Sequence, residues 1–496
     1  MTPDASPLDH LTLRGAPDAP ALIGAESTLV FADLERQVGT LARALAEHGL
    51  APGARVASWL PKAQVAALLP LATVRAGLVH VPINPALRRA QAAHILADCG
   101  ASLLLANAGR LASLQPGDAT CPVLDVGTLD HARREALPPS DGDPQALAAL
   151  LYTSGSTGRP KGVMLSSANL WLGAEAVAGY LGLRPNDRTL AVLPLAFDYG
   201  QNQLLSAWMA GSAVVPLDYL TPRDVVAAVE RHGVTTLAGV PPLWVQLVET
   251  AWPDAARASL RRLTNSGGAM PRALFERLRA LFPRAEIHLM YGSTEAFRST
   301  TLPPDLADTH PWSIGRAIPH AEVLVVRPDR TPAGDGEPGE LVHAGPLVAG
   351  GYWNDPERTA ARFRPAPAHS RYGGRAVWSG DTVVREADGL LRFVGREDEM
   401  IKSSGYRVSP GEVEEAALAC PGVAEAAAFG VPDPQVGAVI HLFARGNEGA
   451  RDALPRHLKR ELPAWMQPAR IAWRDALPRS PNGKIDRAAL RAELGA

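Results

Sequence analysis

The feature that most constrains this chain is a short polar run, Tyr152-Thr-Ser-Gly-Ser-Thr-Gly-Arg-Pro-Lys-Gly162, which directly follows the apolar residues 148–151. Within eleven residues it contains four Ser or Thr hydroxyls, three glycines and one lysine. Glycine lets the backbone approach an anion closely, while successive N–H groups, hydroxyls and a lysine supply donors and positive charge. The spacing does not fit a Walker A loop. The run therefore predicts a phosphate-binding loop, with a plain Gly/Ser hairpin tip as the alternative.

Length and composition exclude several classes of protein. A chain of 496 residues exceeds what one hydrophobic core usually organises, so at least two domains are expected. A net charge of −2 gives no reason to expect nucleic acid or an anionic membrane as partner. The longest apolar stretch, around residues 65–83, is broken by Pro70 and Arg75, so no transmembrane segment is expected. The polar N-terminus without a hydrophobic signal core favours a cytoplasmic location.

Hydrophobic periodicity favours an α/β fold. Apolar residues recur at helical spacing in residues 34–45 and 273–282. Short apolar runs bounded by Gly, Pro or polar residues predict strands at 56–60, 78–83, 103–106 and 286–290. The last strand would deliver Tyr291 to its carboxyl end, where open α/β sheets bind ligands. Three scattered cysteines without CxxC spacing are expected to be small buried side chains: Cys99, Cys121 and Cys420.

Four further motifs follow the polar run in order: Tyr291-Gly-Ser-Thr-Glu295, Gly380-Asp381, Gly395-Arg-Glu-Asp-Glu-Met-Ile-Lys-Ser-Ser-Gly-Tyr-Arg407 and Pro481-Asn-Gly-Lys-Ile-Asp486. Together with the first run they resemble the adenylate-forming (AMP-binding) superfamily of acyl-CoA synthetases, adenylation domains and luciferases, over nearly the whole chain. The resemblance implies a large N-terminal domain (1–397) of packed α/β sheets with a β-barrel-like subdomain. It also implies a small α+β C-terminal lid domain (398–496), with its hinge at Asp398.

The resemblance implies an ATP site and a metal ligand. The residues expected to contact ATP are Thr153, Ser154, Gly155, Ser156, Thr157, Gly158, Lys161, Gly268, Ala269, Tyr291, Gly292, Ser293, Thr294, Asp381, Arg396 and Lys484. In addition, Glu295 would hold Mg²⁺, Asp381 would accept both ribose hydroxyls, and Lys484 would bridge the acid and the α-phosphate. Each has a structural alternative: a carboxylate at a helix start for Glu295, a turn residue for Asp381 and an exposed turn lysine for Lys484.

A second set of residues is implied for transfer of the acyl group to a thiol, after the lid rotates. These are Asp398 at the hinge, with Lys402, Ser404 and Gly405 beyond it. Thr294, Glu295, Lys402 and Lys484 are the implied catalytic residues. Lys402 keeps an alternative interpretation as a solvated surface lysine.

The acid pocket is expected at Phe197, Asp198, Gly267 and Gly268. Amino-acid-activating members of the superfamily carry an aromatic-Asp pair where Phe197-Asp198 falls, and their Asp binds the substrate ammonium. A buried carboxylate there needs a cation, which an amino acid would provide. Asp198 could instead cap the following helix, with Gln201 at its third position.

The leading hypothesis is an AMP-forming acid–thiol ligase that uses ATP, Mg²⁺ and coenzyme A on a small carboxylic acid. The alternative is adenylation of an amino or amino-like acid, with loading onto the phosphopantetheine of a carrier protein in trans. A third hypothesis, a binding protein that has lost catalysis, predicts decayed motifs, whereas all five motifs are present. The residues Phe-Asp-Tyr-Gly200 and Lys-Ser-Ser-Gly-Tyr-Arg407 are also similar to AMP-forming ligases associated with exosortase A gene clusters, which leaves the acid unnamed.

Overall fold

The computed structural model describes residues 4–25, 27–129, 134–154, 160–396, 399–403, 406–433 and 437–494, without the side chains of residues 154, 402, 403, 406, 407 and 437. Its helices are α1 (Phe31–Ala46), α2 (Gln64–Arg75), α3 (Arg89–Cys99), α4 (Ala108–Ser113), α5 (Ser167–Tyr180), α6 (Asp198–Met209), α7 (Pro222–His232), α8 (Pro241–Val248), α9 (Asp254–Ser259), α10 (Arg272–Leu281), α11 (Pro356–Arg362), α12 (Pro410–Leu418), α13 (Glu448–Glu461) and α14 (Arg487–Glu493). Short 3₁₀ segments cover Leu8–Leu13, Val126–Thr128, Thr294–Ala296 and Ala464–Met466.

The strands are β1 (Pro20–Ile23), β2 (Thr28–Val30), β3 (Arg55–Trp59), β4 (Val79–Pro82), β5 (Leu103–Ala106), β6 (Val123–Asp125), β7 (Leu147–Ser154), β8 (Pro160–Ser166), β9 (Arg188–Ala191), β10 (Ala213–Pro216), β11 (Thr236–Gly239), β12 (Arg262–Asn265), β13 (Glu286–Tyr291), β14 (Thr300–Leu302), β15 (Ser313–Ala317), β16 (Glu322–Val326), β17 (Pro338–Ala344), β18 (Phe363–Pro365), β19 (Arg375–Arg385), β20 (Leu391–Arg396), β21 (Ile401–Ser403), β22 (Tyr406–Val408), β23 (Val423–Asp433), β24 (Gly437–Gly446) and β25 (Pro468–Trp473). The strands and helices predicted from periodicity are all found, although several of their ends are shifted.

Two sheets dominate the N-terminal part. A six-stranded sheet has the order β6-β5-β3-β4-β7-β8, parallel except for the antiparallel β7–β8 hairpin. A fourteen-stranded sheet is parallel from β10 through β9, β11 and β12 to β13, and antiparallel from β13 through β20. Helices α1, α2, α5 and α6 share one buried apolar cluster with strands of both sheets.

The C-terminal part has its own buried core. Strands β23, β24 and β25 form a three-stranded sheet against which α12 and α13 pack, and the β21–β22 hairpin contacts β24. Two apolar clusters draw all their buried members from residues 401–490. None of the helices in the described ranges has the length and apolar character needed to cross a bilayer.

The cysteines are free, and Cys99 and Cys420 are buried as predicted, whereas Cys121 is only half-buried.

Candidate active site

The predicted phosphate loop connects two paired strands. Strands β7 and β8 are antiparallel, and their register places Thr153 opposite Lys161. The hydroxyl of Thr153 is buried, with no hydrogen-bond partner in the described part of the chain. A buried hydroxyl without a partner costs free energy, so this geometry suits a ligand that supplies an acceptor. Gly155, Ser156, Thr157 and Gly158 lie outside the described residues, as does the side chain of Ser154.

Lys161 and Glu295 meet around the hydroxyl of Tyr352. Nζ of Lys161 donates to the Tyr352 hydroxyl at 2.6 Å and lies 3.3 Å from Oε1 of Glu295. The same hydroxyl donates to Oε1 of Glu295 at 2.6 Å. The residues before Tyr352 reach this position because their backbone pairs with β8: the Met164 amide donates to the Gly351 carbonyl at 2.9 Å. Three polar groups from three distant segments thus form one connected cluster.

The protonation state of this cluster follows from burial and charge. Burial alone would raise the pKa of Glu295, but the positive charges of Lys161 and Arg362 outweigh it and leave that pKa below its usual value. Burial lowers the pKa of Lys161, and the Glu295 carboxylate opposes that shift. Glu295 is therefore ionised at neutral pH, the form that a hard cation requires.

Glu295 fits the role of a magnesium ligand that shares the ion with phosphates. Among the described residues there is no group of three or more His, Cys, Asp or Glu side chains that could hold a metal. Mg²⁺ commonly takes one or two carboxylates and fills its remaining positions with waters and substrate phosphates. One ionised carboxylate beside the predicted phosphate loop is consistent with that coordination.

Tyr291 and Asp381 form a second polar pair. The hydroxyl of Tyr291, at the carboxyl end of β13, donates to Oδ2 of Asp381 in β19. Burial, and then the neighbouring Asp381, raise the pKa of Tyr291 well above its usual value, so this hydroxyl remains a donor. Arg396 pairs with Asp381 across β19 and β20, with Nη1 3.5 Å from Oδ1. The predicted ribose residues Asp381 and Arg396 are therefore neighbours, beside the end of the strand that carries Tyr291.

Lys484 reaches from the C-terminal part into the N-terminal part. Its loop is held there by Asn84, whose amide donates to the Pro481 carbonyl at 3.0 Å. Nζ of Lys484 lies 5.1 Å from the centre of the Phe197 ring. A Cβ built on Gly267, where φ is +77°, would lie 2.8 Å from Cε of Lys484, so the absence of a side chain there leaves room for the lysine. Burial lowers the pKa of Lys484, Asp198 opposes the shift, and Arg298 and Arg396 add to it.

Asp198 pairs with a residue that the sequence did not single out. Oδ2 of Asp198 accepts from Nη1 of Arg298 at 3.4 Å, and both side chains are almost fully buried. The helix-cap interpretation is wrong: α6 begins at Asp198 itself, with Phe197 in the N-cap position and no side-chain cap bond. Both amide atoms of Gln201 also lack a hydrogen-bond partner within the described ranges.

The remaining predicted residues fall into two groups. Gly268 accepts from the Asn265 amide at 3.0 Å, and Ala269 follows it in the same loop. Gly292, Ser293 and Thr294 lie between β13 and the 3₁₀ segment that contains Glu295. Outside the described residues are Asp398, Ser404, Gly405 and the side chain of Lys402.

Three residues of the site were not predicted: Tyr352, Arg362 and Arg298. Arg362 donates from Nη1 to the Ser379 carbonyl, beside Asp381, and its charge also lowers the pKa of Glu295. The adjacent pair Gly350-Gly351 was a signal for Tyr352, because glycines often mark a close backbone approach. No local pattern marks Arg298. It follows Phe297, a non-glycine residue at φ 59°, a backbone conformation that is uncommon outside functional sites and turns.

Two family descriptions match this chain: "AMP-binding enzyme" over residues 11–353 and "AMP-binding enzyme C-terminal domain" over residues 412–484. The chain is 35% identical to novobiocin biosynthesis protein H of Streptomyces niveus, over 97% of this chain and 81% of that protein. It is 33% identical to feruloyl-CoA synthase of Amycolatopsis sp, over 97% of both. It is also 31% identical to tyrocidine synthase 3 of Brevibacillus parabrevis, over 96% of this chain but only 7% of that protein.

A solved structure gives the same result for the whole chain. O-succinylbenzoate coenzyme A synthetase from Bacillus subtilis, in complex with ATP and magnesium ion, superposes with a TM-score of 0.82 and 27% identity, over 98% of this chain and 99% of that one. These matches confirm the predicted fold class and the prediction of an AMP-forming acid–thiol ligase. The chain belongs to the AMP-binding enzyme family.

Proposed function

We propose that this enzyme uses ATP, Mg²⁺ and coenzyme A to convert a small carboxylic acid into its thioester, in two steps. An oxygen of the carboxylate attacks the α-phosphorus of ATP, and the bond from that phosphorus to pyrophosphate breaks, giving acyl-AMP. The thiol then loses its proton, its sulfur attacks the acyl carbon, and AMP leaves. The first step concentrates negative charge on phosphate oxygens, so fixed donors and cations lower its barrier.

The position of Lys484 is the observation that carries this proposal. Lys484 is half-buried, with its ammonium beside Phe197 and Gly267 and within electrostatic range of Asp198. Desolvation lowers the pKa of this ammonium, so an anion beside it is stabilising, and a carboxylate approaching a phosphate supplies one. Lys484 would hold the reacting carboxylate and the α-phosphate in line. The exposed-turn interpretation of this lysine does not account for its contacts with Phe197 and Gly267.

The other residues divide between two sides of the site. On what we call the nucleotide side, Thr153 and Lys161 would contact the terminal phosphates, Glu295 would hold Mg²⁺, and Asp381 would accept the ribose hydroxyls. On the acid side, Phe197, Asp198, Gly267 and Arg298 would surround the acid. The domain boundary near residue 398, the hinge role of Asp398, the role of Lys402 in thioester formation and the cytoplasmic location belong to the same proposal.

Carrier loading remains the second candidate, because Asp198 is a buried carboxylate of the kind that could bind a substrate ammonium. Substrate-dependent ATP–pyrophosphate exchange, run over fatty, aryl, hydroxy and amino acids, tests acid activation. Thioester formation with CoA, compared with a phosphopantetheinylated carrier protein, then identifies the acceptor. Exchange without any acid dependence would contradict the proposed function.

A further inference from the structure

Arg298 is a buried cation whose hydrogen-bonding capacity is mostly unused. Its residue is only 2% exposed. The contacts of Nη1, to Oδ2 of Asp198 and to the carbonyl of Phe297, are both 3.4 Å long, whereas charged N–H···O bonds are usually about 2.7–2.9 Å. Nε and Nη2, which together carry three N–H groups, make no hydrogen bond of ordinary geometry within the described ranges, although the hydroxyl of Tyr180 lies close enough to interact with the guanidinium.

Another buried arginine of the same chain shows what full pairing looks like. Arg75, whose side chain is completely buried, donates from Nε to Asp9 at 2.9 Å and from Nη2 to Glu35 at 2.7 Å. Its Nη1 donates to the second oxygen of Glu35 at 2.8 Å. The fold therefore saturates one buried guanidinium and leaves the other short of acceptors. Arg298 shares a charge pair with Asp198, but unpaired N–H groups are costly to bury, so a ligand that accepts hydrogen bonds from them would be favoured.

The surroundings of Arg298 also present mainly donors. It lines a small cavity of about 20 Å³ between α5, α6 and strands β9, β11, β12 and β13. Three other buried side chains of this cavity, those of Thr189, Asn202 and Thr236, have a hydroxyl or an amide nitrogen without a partner in the described part of the chain. The ring of Tyr199 lies 4.7 Å from the guanidinium carbon, which holds the group in place. An amide nitrogen and a guanidinium can only donate, and the hydroxyls can donate as well, so the space suits a ligand oxygen that accepts.

We propose that Arg298 binds a second carboxylate, at the end of the acid that does not react, and so makes this enzyme selective for dicarboxylic acids. This inference rests on the proposed function, because Lys484 must hold the reacting carboxylate. Both cations interact with Asp198, so the two carboxylates of the acid would both lie in the neighbourhood of that residue. Asp198 repels a nearby carboxylate unless the acid also carries an ammonium. We therefore expect 2-amino dicarboxylic acids to be the best substrates.

The test is ATP–pyrophosphate exchange with acids paired by size: glutamate with glutamine, 2-aminoadipate with norleucine, and glutarate with pentanoate. The wild-type enzyme should favour the dicarboxylic member of each pair. Arg298→Met should lower kcat/KM for that member by at least about 100-fold and leave the neutral member unchanged or improved. The kcat/KM of Arg298→Lys for the dicarboxylic member should lie between those of the wild-type enzyme and Arg298→Met. A lysine keeps the charge of the arginine but not its planar set of N–H donors. Arg277→Met, at an exposed arginine of α10, is the matched control and should change no preference by more than about threefold.

The outcomes separate this inference from the function on which it rests. The inference is overturned if wild-type exchange is confined to acids without a second carboxylate. It is also overturned if Arg298→Met loses exchange activity equally with every acid. Neither result contradicts acid activation itself. No exchange with any acid in the wild-type enzyme counts against the proposed function itself. If Arg298→Met does not fold, as judged by thermal unfolding, Arg298→Lys is the test. A weaker preference for the dicarboxylic acids than in the wild-type enzyme supports the inference, and an unchanged preference overturns it.

Discussion

The two sides of this site differ in how their polar groups are paired. On the nucleotide side, Lys161, Tyr352 and Glu295 bond to one another, and Tyr291 donates to Asp381. On the acid side, Asp198 and Arg298 hold each other through one long contact. A paired network keeps its geometry before the ligand arrives, whereas unpaired buried donors gain most when the ligand supplies an acceptor. The comparison suggests that the nucleotide side is preorganised for a constant ligand, and that the acid side is completed by its substrate.

The largest effect is expected at the point where the two sides meet. Lys484→Ala should reduce acyl-AMP formation by about 100- to 1000-fold, because it removes a fixed cation from the reacting groups. Thioester formation from supplied acyl-AMP should remain within about threefold, since the lysine acts only in the first step. Separate assays of the two half reactions measure this, with Lys459→Ala on the exposed side of α13 as control. Equal loss of both half reactions would contradict the assigned role.

A smaller effect, confined to the nucleotide side, is expected for Glu295→Gln. The amide keeps an acceptor for Tyr352 but loses the charge that a magnesium ion requires, so exchange activity should fall by about 100-fold. The Mg²⁺ concentration for half-maximal activity should rise, while the order of preference among acids stays the same. Titration of exchange activity with Mg²⁺ checks this, with the exposed Glu175→Gln as control. A changed acid preference with an unchanged Mg²⁺ requirement would break the division into two sides.

Tyr352→Phe tests whether the cluster is preorganised by its bridging hydroxyl. The hydroxyl joins Lys161 to Glu295, and a hydrogen bond to a charged group contributes about 1.5–3 kcal/mol. We expect the KM for ATP to rise by about tenfold, with little change in the KM for the acid. Tyr372→Phe, at a more exposed tyrosine, should have no effect. A variant with wild-type affinity for ATP would show that the bridge does not position the cluster.

The smallest effect is expected on the free energy of unfolding, through the buried residue His343 near the acid side. Burial lowers the pKa of His343 to about 4, and its Nδ1 lies 2.9 Å from the hydroxyl of Ser299, next to Arg298. The folded protein keeps this histidine neutral, while the unfolded chain takes up a proton below about pH 6.5. Its contribution to the free energy of unfolding is therefore constant above about pH 6.5. It falls by about 1.4 kcal/mol per pH unit between there and about pH 4.

Urea unfolding at about pH 7.5 and about pH 5.5 measures this contribution. His343→Gln should flatten the decrease by about 1.4 kcal/mol, whereas the exposed His369→Gln should not. An unchanged pH dependence in His343→Gln would mean that water reaches this histidine and that the interior here is not dry.

Much of the nucleotide side could be predicted from the sequence because its residues lie in contiguous motifs. The run around Lys161 and the segment from Tyr291 to Glu295 carry their chemistry within a few residues of one another. Tyr352 was not predicted, because only the pairing of its backbone with β8 brings it to this cluster. On the acid side, the sequence placed Asp198 but offered a helix cap as an alternative, which the start of α6 and the free Gln201 amide contradict.

The family and the α/β fold class follow from the sequence alone, because short motifs and hydrophobic periodicity are local properties of the chain. Which side chains lie next to one another depends on how distant segments pack in three dimensions. The contact between Asp198 and Arg298 joins residues 100 positions apart, and Lys484 reaches the Phe197 ring from the C-terminal part. The strength of a charge pair depends on the distance between the charges and on their burial, and neither can be read from the sequence. For that reason the acid that completes this site is argued from unpaired donors, not from a motif.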